Sequence, residues 1–240
     1  MKHLLVDADL GGVLSSVPLG GDDRHRLRRV LRMRPNDQLV ACDGRGHRVR
    51  CTWTGAALEP LAEVEFVPPL QPRIELGVGL LKGPRWEWLL EKCVEVGVDA
   101  IVPLQMDHCV AKASERSDRL LRWQGVARSA AEQSGRCWSA EVSAPMPLDA
   151  WLEGGGGPVL YGDERLVEPA IGEWVRRSER PAAVRVLVGP EGGLSEKERH
   201  SLDCAAAEGL VLAPWVLRAE TAAVAAVFAL RQAGDWSSGR

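Results

Sequence analysis

The chain has 240 residues, 45% hydrophobic and 26% charged, with a formal net charge of -3. This is ordinary soluble-globular composition, sufficient for a sizeable core in one or two domains. No apolar run approaches the ~20 residues that a bilayer span needs, which argues against a transmembrane helix. The opening MKHLLVDADLGG carries acids where the apolar segment of a signal peptide would continue. Six scattered cysteines, at 42, 51, 93, 109, 137 and 204, include no CxxC pair. Buried free thiols, a reducing cytoplasmic location and no metal centre are expected. Nine tryptophans stand against one tyrosine and two phenylalanines, an unusual aromatic usage.

In chain order, HLLVD, QLVACDG, HRVRCTWTG and AEVEFVPP are short β-type runs punctuated by glycine, aspartate and proline. CDGRGHRVRC predicts a hairpin turning at Asp43-Gly44, with HRVRCTW alternating sides. Between the first two runs, DDRHRLRRVLRM places Leu27, Val30 and Leu31 at helical spacing. The first 70 residues therefore read as a compact β-rich unit, a small barrel, with one basic helix. VPPLQPR (67–73) cannot pair as a central strand and reads as the linker. From residue 73 to 240, strands alternate with helices. IELGVGLL, IVPLQ, PVLYG, VRVLVG and GLVLAP are the strands. The helices are GPRWEWLLEKCVEVG, SDRLLRWQGVARSAAEQSG, EPAIGEWVRR, SEKERHSLDCAAAEG and ETAAVAAVFALRQAG. This pattern predicts an α/β layer on a mostly parallel sheet.

Charge is unevenly spread. From Arg24 to Arg50, nine arginines face two aspartates, a local net of +7, whereas residue 71 onward carries 20 basic and 24 acidic residues. Arg24, Arg26, Arg28, Arg29, Arg32 and Arg34 fall within eleven residues with no acid between them. Guanidinium groups form two-pronged bonds to phosphate and stack on bases, so nucleic acid is the natural partner of this stretch.

Two loops near the C-terminus carry candidate chemistry. In RVLVGPEGGLSEKE a buried strand ends at Gly189, and Ser195 with Glu198 forms a capping box for the next helix. The turn between them lies at the carboxyl end of a strand, where α/β sheets bind ligands, and its glycines let a ligand approach the backbone. Glu191 argues against phosphate there and for a neutral or cationic ligand. In LVLAPWVLRAETAAVAAVFAL, Arg218, Glu220 and Thr221 precede a helix of small apolar residues. Glu220 suits the positive end of a helix, while Arg218 in the same place points to an anion. In AAEQSGR (130–136), Glu132, Gln133 and Arg136 form a polar cluster beside alanines suited to packing. Arg136 is expected to be more solvated than Gln133.

Taken together, HRLRRVLRMRPNDQLVACDGRG, KGPRWEWLLEKCVEVGVDAIVPL, RWQGVARSAAEQSGR, LVGPEGGLSEKE and VLRAETAA resemble, in order, the bacterial 16S ribosomal RNA (uracil-N3)-methyltransferases of the SPOUT class. The resemblance implies a PUA-like β-barrel over residues 1–70 that binds RNA. It implies a SPOUT α/β domain over 73–240 with a deep trefoil knot. S-adenosyl-L-methionine would bind in the knot, walled by Gly189, Pro190, Glu191, Gly192 and Gly193, by Leu212, Val216 and Leu217, and by Leu160 and Tyr161. Arg218 and Glu220 would be the catalytic candidates. The resemblance further implies a homodimer acting on 16S rRNA in the small ribosomal subunit. Action on another RNA site, or RNA binding without catalysis in ribosome assembly, are the alternative readings. The chain departs from the family pattern at Ala213, Trp215 and His108. The family commonly has glycine at the first of these positions and arginine at the second, and often arginine at the third.

Overall fold

A computed structural model describes residues 1–12, 15–111, 117–176 and 181–232. The chain divides into two compact units. The first comprises Met1–Pro69 with Arg128–Ser139, and the second Leu70–Ala127 with the described residues from Ala140 onward.

The first unit contains β1 (Lys2–Leu5), α1 (Gly21–His25), β2 (Gln38–Cys42), β3 (His47–Trp53), β4 (Leu58–Pro60) and β5 (Glu65–Phe66). A single π-helical turn, Arg26–Val30, continues α1, with the Leu31 N–H donating to the Arg26 carbonyl at 2.8 Å. The sheet order is β1-β2-β3-β4, with β5 also on β3. β1 and β2 are parallel, and the remaining pairs are antiparallel. The expected hairpin joins β2 to β3, with Gly44 (φ 71°) and Gly46 (φ 102°) supplying left-handed backbone at the turn. Val49, Cys51 and Trp53 face inward, as the alternation predicts, and pack with Leu4, Leu27, Leu39 and Leu58. β4 went unforeseen because LEP has no β-branched residue; its pairing with β3 makes it a strand.

The second unit begins with β6 (Arg73–Gly79), α2 (Pro84–Glu95), β7 (Ala100–Gln105) and α3 (Ser117–Ser134). From Arg128 onward α3 belongs to the first unit. There the buried Glu132 accepts the Leu5 N–H at 2.9 Å and pairs with Arg26. Burial pushes its carboxyl up, against the opposing pull of the Leu5 N–H, Arg26 and Arg128. Gln133 is exposed and Arg136 half-buried, the reverse of the expected order, because the face bearing Glu132 and the alanines is the packed one.

Next come β8 (Glu141–Val142), β9 (Met146–Pro147), α4 (Leu148–Glu153), β10 (Val159–Gly162), α5 (Ile171–Val175), β11 (Ala183–Val188), α6 (Glu196–Cys204), β12 (Glu208–Leu210) and α7 (Ala219–Gln232). The expected ends of two helices, at Arg177 and Gly234, lie outside the described residues. α5 is shorter than expected because Ala170 is drawn into a bridge with Val211, which keeps the preceding segment extended. All strand pairs are parallel, in the order β12-β10-β11-β6-β7-β8, with β9 also on β7. β11 thus lies between β10, which directly precedes it among the strands, and β6, the first strand of the sheet. Val184, Val186 and Leu187 of β11 are buried, consistent with a central strand covered on both faces. α7 packs on α2, β6 and β11 through Ala219, Ala222, Ala223 and Ala226, whose small side chains permit close approach. No helix among the described residues is long and apolar enough to cross a membrane.

Candidate functional site

The carboxyl ends of β10, β11 and β12 open on one cavity of about 590 Å³ in the second unit. Parallel strands present their following loops, and the N-termini of the following helices, at this edge, which is where α/β sheets bind ligands. One wall is Gly162–Glu164 after β10; another is Val188–Glu191 with Gly193 and Leu194 after β11. The third is Val211–Ala219, leading into α7.

Among the residues singled out from the sequence, Gly189, Pro190, Glu191, Gly193, Leu212, Val216, Leu217 and Arg218 line this cavity together. Leu160, Tyr161, Gly192 and Glu220 are not among its lining residues. Leu160 is fully buried within β10, and the cavity begins two residues later, at Gly162. Tyr161 turns toward Gly209 of the neighbouring strand β12, and burial raises its phenol above the ordinary value. Glu220 is 7% exposed, in the first turn of α7, and its Oε2 has no hydrogen-bond partner.

The β11–α6 loop shows why its residues are glycine. The Gly193 N–H donates to the Pro190 carbonyl at 2.9 Å, closing a turn, and Gly193 has φ 70°, which disfavours a side chain. A Cβ on Gly192 would lie 2.7 Å from the His108 Cβ, and His108 Nδ1 is 3.2 Å from the Gly193 carbonyl oxygen. A Cβ on Gly79 would meet the Pro190 nitrogen at 2.6 Å. The bare backbone at 192 therefore receives His108, and that at 193 serves the turn. Downstream, Ser195 Oγ accepts the Glu198 N–H at 3.2 Å, and Glu198 Oε2 accepts the Ser195 N–H at 2.8 Å. This is the expected capping box, and Asp107 locks it from outside through a 2.6 Å bond from Ser195 Oγ.

Charges on the lining are unequal. Among the described lining residues Arg218 is the sole cation, against Asp163, Glu164 and Glu191. Glu191 is paired with Arg85 of α2 at 3.0 Å. Asp163 is held by Arg199 at 2.6 and 3.2 Å. Burial works to raise the Asp163 carboxyl, but Arg199 and the Arg165 N–H hold it below the usual aspartate value. The Arg218 carbonyl accepts the Ala222 N–H at 2.8 Å, so Arg218 sits at the cap of α7 with its backbone fixed. Ala213, one of the departures from the family pattern, lines the cavity and has no positive φ. Asp163, Glu164, Leu166 and Val167 also line the cavity and were not singled out from the sequence, because the loop that follows PVLYG carries no periodic signal.

In the first unit, Arg24, Arg28, Arg29, Arg32 and Arg34 are exposed. Arg28 also donates to the Gly55 carbonyl at 2.9 Å. Arg26 differs, being engaged by Glu132.

Residues 68–231 match the family model described as RNA methyltransferase domain, and residues 19–56 match the RNA methyltransferase PUA domain. A curated relative from Synechocystis sp., named ribosomal RNA small subunit methyltransferase E, is 32% identical over 236 residues, covering 95% of this chain and 76% of that protein. The protein of the same name from Mycobacterium bovis is 34% identical, covering 88% and 84%. The crystal structure of the protein of that name from Neisseria gonorrhoeae, bound to S-adenosyl methionine, superposes with a TM-score of 0.85. Its identity is 28%, and the match covers 99% of this chain and 100% of that one. With matches running along nearly its whole length, the chain belongs to the RNA methyltransferase family whose curated members carry the name ribosomal RNA small subunit methyltransferase E.

Proposed function

We propose that this chain transfers the methyl group of S-adenosyl-L-methionine to N3 of one uridine in the 16S rRNA of the small ribosomal subunit. The observation that carries the reading is the cavity at the ends of β10, β11 and β12, in a chain of this family. Its residues fit the cofactor. Leu194, Val211, Leu212 and Leu217 offer apolar surface, and Glu164 offers negative charge that favours a cationic sulfonium, whereas Asp163 and Glu191 are already paired with Arg199 and Arg85. Gly189, Pro190 and Gly193 would hold the ligand from one side, and Leu212, Val216 and Leu217 from the other. When bound, the cofactor supplies an electrophilic methyl group.

This chain's residues supply alignment and electrostatics. Arg218, the sole cation among the described lining residues, orients the uracil and shares the negative charge that its oxygens gain as the N3 proton passes to solvent water. Glu220, buried and off the lining, is assigned to the first turn of α7, where a carboxylate complements the helix dipole. In the first unit, Arg24, Arg28, Arg29, Arg32 and Arg34 grip RNA phosphates, while Arg26 braces the helical turn through Glu132. The reading includes a PUA-like barrel over residues 1–70 and a SPOUT domain over 73–240. It also includes a trefoil knot, with which the placement of β11 between β10 and β6 is compatible. The protein would act as a cytoplasmic homodimer.

The test uses purified protein, methyl-labelled cofactor and small subunits from a strain lacking the modification. Labelled 3-methyluridine in digested 16S rRNA is the expected product. A different labelled nucleoside would overturn the position, and no label with no cofactor binding would overturn the activity.

A further inference from the structure

Trp215 is 81% exposed, whereas Trp88, the next most exposed tryptophan among the described residues, is at 44%. Trp53, Trp86, Trp123 and Trp151 are buried. A lone exposed apolar residue needs no explanation, but this one is not alone. Val216 (77% exposed) and Val167 (89%) share the rim of the same cavity. The segment that carries Trp215 is pinned. The Val211 N–H donates to the Pro169 carbonyl at 2.8 Å, and the Ile171 N–H donates to the Val211 carbonyl at 3.0 Å. At its far end, α7 begins at the Arg218 cap. An indole is thus presented to solvent by a loop held at both ends, three residues from the only cation among the described lining residues. Trp215 is also the only aromatic residue among the described residues of the lining.

We propose that Trp215 is the platform on which the target base stacks. The inference rests on the methyl-transfer reading. The acceptor nitrogen must come within roughly 3–3.5 Å of the methyl group, so the acceptor base must enter this cavity. N3 lies on the pairing edge of uracil, so the base must leave its neighbours and forfeit their stacking. The Trp215 face replaces that stacking, and Arg218 meets the polar edge of the base. The indole offers a broad uncharged π-face for a pyrimidine, whereas an arginine at this position would stack through a smaller guanidinium plane and add a charge.

The experiment compares wild-type, Trp215→Ala and Trp215→Phe full-length proteins. Cofactor affinity is measured by calorimetry. Binding to unmodified small subunits is measured without cofactor, and KM and kcat for methyl transfer with it. Since the ring is exposed, the thermal midpoint should not move. Base–aromatic stacking predicts a loss of about tenfold to a hundredfold in kcat/KM and weaker subunit binding for Trp215→Ala. Phe should restore most of both, with cofactor affinity unchanged throughout. Equal transfer by Trp215→Ala and wild type would overturn the proposal and leave the methyltransferase reading standing. A parallel loss of cofactor affinity would overturn it as well, by assigning the ring to the cofactor. Absence of transfer by the wild type would remove the reading itself, and this proposal with it.

Discussion

Arg218 and Asp163 line one cavity and do opposite work there. Arg218 has its backbone fixed at the start of α7 and its side chain exposed at the cavity. Replacing a preorganised donor that meets developing charge costs on the order of 100-fold or more in kcat. Arg218→Ala should therefore lower kcat by about that factor, while calorimetry finds cofactor affinity within a few-fold of wild type. Asp163 has a nearly buried carboxylate in a two-pronged pair with Arg199. Its carboxyl lies below the ordinary value in the fold, so it binds a proton less readily there than in the unfolded chain. The stability it contributes is present above the unfolded value of about 4 and is lost as pH falls through the folded value. Asp163→Asn should cost about 1–3 kcal/mol at pH 7, from leaving Arg199 underbonded. The gap between variant and wild type in thermal melts should be full at neutral pH and narrow as pH falls below about 4. A gap of the same size at every pH would place the stabilisation elsewhere.

At the level of the elements, the basic helix and its π-helical turn commit Leu27 to the core and leave Arg24, Arg29 and Arg34 in solvent. Each phosphate that an arginine neutralises releases counterion, adding about 0.7 to the salt slope of binding to single-stranded RNA. A triple change to alanine at 24, 29 and 34 should flatten that slope by roughly 2 in a salt titration of subunit binding. Arg26→Ala should act mainly through stability, because Arg26 is bound to Glu132. These roles were only partly legible in the sequence. Long periodic elements such as α2, and the capping box of α6, were readable because their signals are local. β4, β8 and β9 were not, being two or three residues long and defined by their partners. In the site, the Gly-rich loop and Arg218 stood out by composition. What Gly192 accommodates did not, since His108 lies 84 positions away in the chain. Nor did the burial of Glu220, which depends on how α7 packs.

Across the whole molecule, the parallel sheet of the second unit is assembled from distant pairings. β11 joins β6 over more than 100 residues, and β12 completes the edge beyond β10. Loops of that length must close before their contacts stabilise anything, so refolding from denaturant should take milliseconds to seconds or longer. Stopped-flow circular dichroism would measure it, and a sub-millisecond single phase would contradict this reading of the topology. Leu187→Ala, in the middle of the sheet, should cost about 2–5 kcal/mol by urea titration.

The same strand order has a consequence during synthesis. β6 ends at Gly79 and the strand that covers its outer edge begins at Ala183. A ribosome adding about 5–20 residues per second leaves that edge open for roughly 5–20 seconds. Throughout that interval the nascent chain carries an apolar strand with unmet backbone groups, the kind of surface that recruits chaperones or other chains. The yield of active protein should therefore depend on translation tempo through the middle of the message. Slow codons between the segments for β6 and β11 would prolong the exposed stage, and faster ones would shorten it.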